Sequence, residues 1–173
     1  MAKPSSGDPI YGDTKVENSN DRLTGGDRGE IIDGKGGNDI IQGNGGNDTI
    51  YGGSGDDYLI DGFGNDLVFA GEGVDRIEAG AGNDVFVLTD SDDLGDVVFF
   101  SSSWKGGFGN DTIDGFESGD TLKLQGVTQE QVYLDPNDPS TYIINAPNGG
   151  TITFINGYVP LESEIVFTTA SNA

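Results

Sequence analysis

Seven acidic residues recur in this chain at one spacing. Glu30, Asp39, Asp48, Asp57, Asp66, Asp75 and Asp84 stand nine residues apart, each at the end of a glycine-containing run. Residues 34–60 show the pattern most plainly: GKGGNDIIQ, GNGGNDTIY, GGSGDDYLI. A carboxylate on every turn supplies oxygen ligands for a hard cation. Other chemistries are poorly supplied. The 173 residues include no Cys and no His, which removes disulfide staples, the commonest general base and the usual zinc ligand. Two carboxylates could run glycoside hydrolysis, but nearly every regular acid here belongs to the repeat. Ser101, Ser102 and Ser103 have no His to activate them. The chain is expected not to be an enzyme.

Counted from Gly25, the frame gives GGDRGEIID, GKGGNDIIQ, GNGGNDTIY, GGSGDDYLI, DGFGNDLVF, AGEGVDRIE and AGAGNDVFV, seven units without a gap. Position six is acidic in all of them. Position eight is apolar in all: Ile32, Ile41, Ile50, Leu59, Val68, Ile77 and Phe86. Position four is Gly37, Gly46, Gly55, Gly64, Gly73 and Gly82, with Arg28 as the exception. Half a unit precedes the series and puts Asp21 and Leu23 into the same two slots. The frame breaks over 88–105. It resumes with GGFGNDTID at 106–114, which carries Asp111, and GFESGDTLK at 115–123.

The slots have a physical reading. Glycines at positions one, two and four allow positive φ, so the chain can turn tightly and aim carbonyls inward. The acid at position six adds a charged oxygen at the end of the turn. Positions seven to nine form a short strand whose middle side chain faces inward. Two units then make one coil of 18 residues, and turns of units two apart stack. The space between stacked turns is lined by carbonyls and two carboxylates. Such a flexible, charged, oxygen-only cage suits Ca²⁺ better than Mg²⁺, which demands tight octahedral geometry.

These units resemble the RTX (haemolysin-type) calcium-binding nonapeptide GGxGxDxUx. The resemblance implies an all-β, right-handed parallel β-roll with Ca²⁺ between its turns. Pairing units two apart puts Glu30, Asp48, Asp66 and Asp84 on one edge and Asp21, Asp39, Asp57 and Asp75 on the other, room for up to about six ions. The outermost gaps, at Asp21 and Glu30, are expected to be weak or empty. Asp111 sits in a well-formed turn without an evident stacking partner. Asp27, Asp33, Asp56, Asp61, Glu72 and Glu78 fall at other slots and are expected to be solvated.

Charge and composition agree with a chain that depends on cations. There are 30 acids against 8 bases, a net charge of −22, 34% hydrophobic residues and 30 glycines. That charge opposes compaction and argues against nucleic acid or an anionic membrane as a direct partner. The N-terminal residues lack the apolar core of a secretory signal, and the Met-Ala-Lys-Pro-Ser-Ser start reads as the edge of a cut fragment.

The expected organisation is a linker at 1–15, the roll at 16–123 with an insertion at 88–105, and a C-terminal region at 124–173. The last region reads as an antiparallel β cap, with TYIIN and TITFI flanking Asn148-Gly149 as a hairpin. It is similar to the caps that follow RTX repeats in secreted proteases, lipases and the R modules of mannuronan C5-epimerases. The cap, or the 88–105 segment with Phe99, Phe100 and Trp104, is expected to pack over the outward residues Leu67, Phe69, Val85 and Val87. The final residues, IVFTTASNA, are a candidate export signal.

The resemblance implies a secreted calcium-binding module, part of a larger type I-secreted protein. It would be threaded unfolded and would fold outside the cell where Ca²⁺ is plentiful. An alternative is a carbohydrate-binding module for an alginate-like polysaccharide. Arg22, Arg28 and Lys35 are then the candidate glycan contacts.

Overall fold

The apolar eighth position determines the architecture. A three-residue strand with one inward side chain cannot bury enough on its own, so successive strands must stack that side chain into a common interior. The computed structural model describes residues 10–11, 19–88, 94–101, 107, 109–146, 150–156, 158–161 and 164–168. Through the repeats its strands are β1 (Ile10–Tyr11), β2 (Arg22–Thr24), β3 (Ile31–Asp33), β4 (Ile40–Gly45), β5 (Thr49–Ser54), β6 (Tyr58–Phe63), β7 (Leu67–Glu72), β8 (Arg76–Ala79) and β9 (Val85–Val87). They continue with β10 (Val97–Ser101), β11 (Asn110–Asp114), β12 (Thr121–Gln125), β13 (Val132–Asp135), β14 (Asp138–Ile144), β15 (Thr151–Ile155) and β16 (Ile165–Thr168). Among the described residues, no helix is long and apolar enough to cross a membrane.

The chain winds as a parallel β-roll. Strands alternate between two sheets, one ordered β1-β3-β5-β7-β9-β11-β15-β14-β13 and the other β16-β12-β10-β8-β6-β4-β2. The register places each eighth-position residue directly beside the next. In the first sheet Ile32, Ile50, Val68, Phe86, Ile113 and Phe154 follow one another. In the second the series is Leu23, Ile41, Leu59, Ile77, Val98, Leu122 and Ile165. These two ribs face each other and form most of the core. Each fully buried aliphatic side chain contributes about 1.5–3 kcal/mol. Phe86 and Phe100 meet edge to face across the interior at 5.8 Å.

The interrupted region behaves differently from its sequence frame. Part of 88–105, expected as an insertion, is strand β10, which pairs in register with β8 on one side and β12 on the other. Its Phe100 is buried in the core, and Phe99 lies against the Arg76 guanidinium at 5.4 Å. Both sit on the second sheet, so the packing of this segment over Leu67, Phe69, Val85 and Val87 is corrected. Its described strand extends the opposite sheet. On the expected face, Phe69 instead stacks flat on Tyr51, with ring centres 4.8 Å apart. Trp104 lies outside the described residues.

The C-terminal strands also extend the sheets instead of crossing that face. β15 is parallel to β11, and β16 is parallel to β12, so the winding continues into the last third of the chain. Among the described strands, antiparallel pairing joins β14 to its two neighbours, β13 and β15. β14 pairs with β15 through Tyr142↔Ile152, and β13 closes the edge. The hairpin turn at Asn148-Gly149 and the chain beyond 168 fall outside the described residues. The linker expected at 1–15 is described only at β1, which pairs in parallel with β3.

Candidate metal centres in the stacked turns

Turns lie on top of one another because their backbones nearly touch. Gly64 has φ of +135°, and a Cβ placed there would stand 1.7 Å from the Gly46 carbonyl oxygen. Gly109 repeats the arrangement against Gly82, at 1.6 Å. No other residue fits at that separation. Position two also turns left-handed, and there the chain accepts Lys35 and Asn44 at φ of 73° and 74°.

The stacking aligns the sixth-position acids in two rows. In the first, the N–H of Glu30 donates to Asp48 Oδ1 at 2.8 Å, that of Asp48 to Asp66 at 2.7 Å, that of Asp66 to Asp84 at 2.9 Å and that of Asp84 to Asp111 at 2.8 Å. In the second, the N–H of Asp21 donates to Asp39 at 2.7 Å, that of Asp39 to Asp57 at 2.7 Å and that of Asp57 to Asp75 at 2.8 Å. The same row goes on from Asp75 to Asp96 and from Asp96 to Asp120, both at 2.9 Å.

Asp111 thus stacks on Asp84. Asp96, which the nine-residue frame misses, and Asp120, at position six of GFESGDTLK, complete the other row. The signal for Asp96 is a Gly-Asp-x-apolar fragment, Gly95-Asp96-Val97-Val98, which matches Gly119-Asp120-Thr121-Leu122 but is detached from the regular spacing. A further ladder runs outside the acids at position five. The N–H of Asn65 donates to Asn47 Oδ1, that of Asn83 to Asn65 and that of Asn110 to Asn83, at 2.9–3.0 Å. It too was missed, although five of the seven units carry Asn or Asp there.

The second carboxylate oxygen is used differently along the rows. At three of the four row ends it is used locally. Gly26 N–H donates to Glu30 Oε2 at 2.9 Å, the Ser19 hydroxyl to Asp21 Oδ2 at 3.2 Å, and Glu117 N–H to Asp120 Oδ2 at 2.7 Å. Oδ2 of Asp48, Asp57, Asp66 and Asp84 in the interior, and of Asp111 at the end of the first row, is buried with no hydrogen-bond partner. Burial raises these acids: Asp48, Asp57 and Asp84 to about 7 and Asp111 to about 8, with the backbone N–H bonds opposing the shift. An unpartnered buried charge is costly, and rows of them need a compensating cation.

The space beside these oxygens fits one. A Cβ on Gly43 would lie 2.6 Å from Asp48 Oδ2, and one on Gly52 2.7 Å from Asp57 Oδ2. At these two turns the first position is open next to the unpartnered oxygen. The donor set holds oxygen alone, which matches a hard cation of the Ca²⁺ type.

The remaining candidates separate. Asp56 is exposed and joins the outer ladder, accepting from Val74 N–H at 3.1 Å. Asp27 and Glu72 are exposed, Asp33 is half-buried, and Glu78 accepts from the Tyr58 hydroxyl. Asp61 is a correction: expected in solvent, it is fully buried, because β6 continues past its eighth position and turns the side chain inward. Arg22, Arg28 and Lys35 are exposed. Arg28 belongs to the turn of Glu30 and Lys35 to the turn of Asp39, so these two lie on opposite edges of the roll.

Residues 24–59, 51–86 and 105–123 match the family of RTX calcium-binding nonapeptide repeats, four copies. No curated protein matches the chain. Among solved structures, the extracellular lipase LipA from Serratia marcescens is similar at 15% identity and a TM-score of 0.36. The match covers 94% of this chain and 40% of the lipase chain.

Proposed function

The chain carries RTX calcium-binding nonapeptide repeats, and from that premise we propose a calcium-dependent folding module, the stabilising and export part of a larger type I-secreted protein. The observation that carries the reading is the pair of acid rows, in which Asp48, Asp57, Asp66, Asp84 and Asp111 hold a buried oxygen with no hydrogen-bond partner. Asp48, Asp66, Asp84 and Asp111 would hold ions on one edge, and Asp39, Asp57, Asp75 and Asp96 on the other. The terminal acids Asp21, Glu30 and Asp120 spend their second oxygen on their own turns and are expected to bind weakly. When bound, Ca²⁺ supplies the positive charge that the rows lack. The residues do the rest: Oδ1 ties each coil to the previous one, and at Asp48, Asp57, Asp66, Asp84 and Asp111 Oδ2 has no hydrogen-bond partner.

Ion binding free energy then becomes folding free energy. Extracellular calcium modules bind at about 10⁻⁴–10⁻³ M. A module of that strength stays unfolded where Ca²⁺ is scarce and folds outside the cell, where it is plentiful. A polysaccharide-binding role has less support, since Arg28 and Lys35 do not share a face. The test is far-UV circular dichroism during a calcium titration from a chelated start. A cooperative gain of β signal that Mg²⁺ does not reproduce is expected. A chain fully folded in chelator would overturn the proposal.

A further inference from the structure

Six of the seven units open on Gly25, Gly34, Gly43, Gly52, Ala70 or Ala79, and the seventh opens on Asp61. A lone carboxylate placed among small residues would ordinarily turn to solvent. This one is fully buried. Its Oδ1 accepts from Gly62 N–H at 2.6 Å, and its Oδ2 is buried with no hydrogen-bond partner. The facing turn lies close, since a Cβ on Gly80 would stand 1.8 Å from the Gly62 carbonyl oxygen and 2.8 Å from Asp61 Oδ1. Asp66 and Asp84 border the same space. One oxygen from each of the three acids lies within 4.8 Å of the others, and all three residues are buried.

We propose that the gap between turns 61–66 and 79–84 is a tricarboxylate cation site, in which Asp61 joins Asp66 and Asp84 as a third charged ligand. This gap takes its ion ahead of the gaps that offer two carboxylates. The inference rests on the calcium reading above and adds a rank order to it. Affinity in oxygen cages rises with the number of charged ligands, and three close carboxylates repel one another until a cation separates them. The first ion therefore ties the turn entering β7 to the turn entering β9, in the middle of the roll. A trivalent ion of similar size balances all three charges, so Tb³⁺ is the stringent probe of the same gap.

The experiment uses the full chain, stripped with chelator. Calorimetric titration with Ca²⁺ is combined with amide resonances of Gly62 and Gly80, and repeated with Tb³⁺ luminescence. In the unaltered protein the first equivalent of either ion forms a distinct tight class, and with Ca²⁺ it shifts the Gly62 and Gly80 amides. Asp61→Ala, the residue already present at 70 and 79, weakens that class at least about 10-fold and leaves the others in place. Asp61→Asn, which keeps an oxygen but no charge, gives the same loss to a smaller extent and decides the matter if Asp61→Ala does not fold. An unchanged tight class in the variants, or a first equivalent that shifts glycines of other turns, would overturn the inference alone. Absence of any Ca²⁺ binding by the unaltered protein would overturn the calcium reading with it.

Discussion

At Gly64 and Asp57 the two halves of the repeat's chemistry can be separated. Gly64 provides close approach. With φ of +135° and the Gly46 oxygen 1.7 Å from where a Cβ would sit, Gly64→Ala forces two backbones apart. A loss of at least about 2 kcal/mol is expected at saturating Ca²⁺, read from thermal melts. Asp57 provides charge, and its removal has two opposite effects. Asp57→Asn should weaken calcium binding on its edge at least about 10-fold. It should also raise the residual β signal in chelator, because a buried unpartnered charge is gone. A variant that loses both calcium affinity and ion-free structure would show Asp57 to be a packing residue instead. Legibility differed among residues of the same type. Asp57 could be placed from its slot, whereas Asp61 could not. A slot filled elsewhere by glycine or alanine carries no information on where a longer side chain would point.

The strands are short, and their strength lies in the rib of eighth positions. Leu59, fully buried between Ile41 and Ile77, is a central member. Leu59→Ala should cost about 2–5 kcal/mol, whereas Ile31→Ala, on the exposed flank of β3, should change little. Equal melting temperatures for the two variants would contradict the assignment of inner and outer faces. Over 25–87 these elements were legible because acid, apolar and glycine slots repeat together at one period. Beyond it the spacing between stacked acids changes to 21 for Asp75–Asp96, 24 for Asp96–Asp120 and 27 for Asp84–Asp111. The roll absorbs these extra residues in its connections and keeps its strands in register. A fixed period therefore fails where the fold continues. The parallel continuation into β15 and β16 was hidden for the same reason.

Over the whole molecule, the charge of −22 and the buried acids make stability a matter of protons when ions are absent. Folding without ions raises Asp48, Asp57 and Asp84 to about 7 and Asp111 to about 8, from an ordinary value of 3.8, chiefly through burial. Between the ordinary and raised values the folded chain binds more protons than the unfolded one. Ion-free stability is therefore greatest below about pH 4, falls as pH rises through that window and is least above about pH 8. Circular dichroism in chelator from acid to pH 8 should show β signal disappearing, while apparent calcium affinity increases over the same range. Stable β signal at pH 8 without ions would contradict this.

The two rows also give the molecule a direction. Up to the last acid of each row, the backbone N–H reaches for a carboxylate that lies later in the chain, by 18 residues in the regular part. Asp120, last in its row, instead holds its second oxygen on the N–H of Glu117, within its own turn. A late coil can thus form with its acid already anchored and then present that acid as a template to the coil before it. An early coil formed first has nothing ahead to grip. Order is therefore expected to spread from the turns that the first ion fixes back towards Asp21, each coil gripping the one that follows it in the chain.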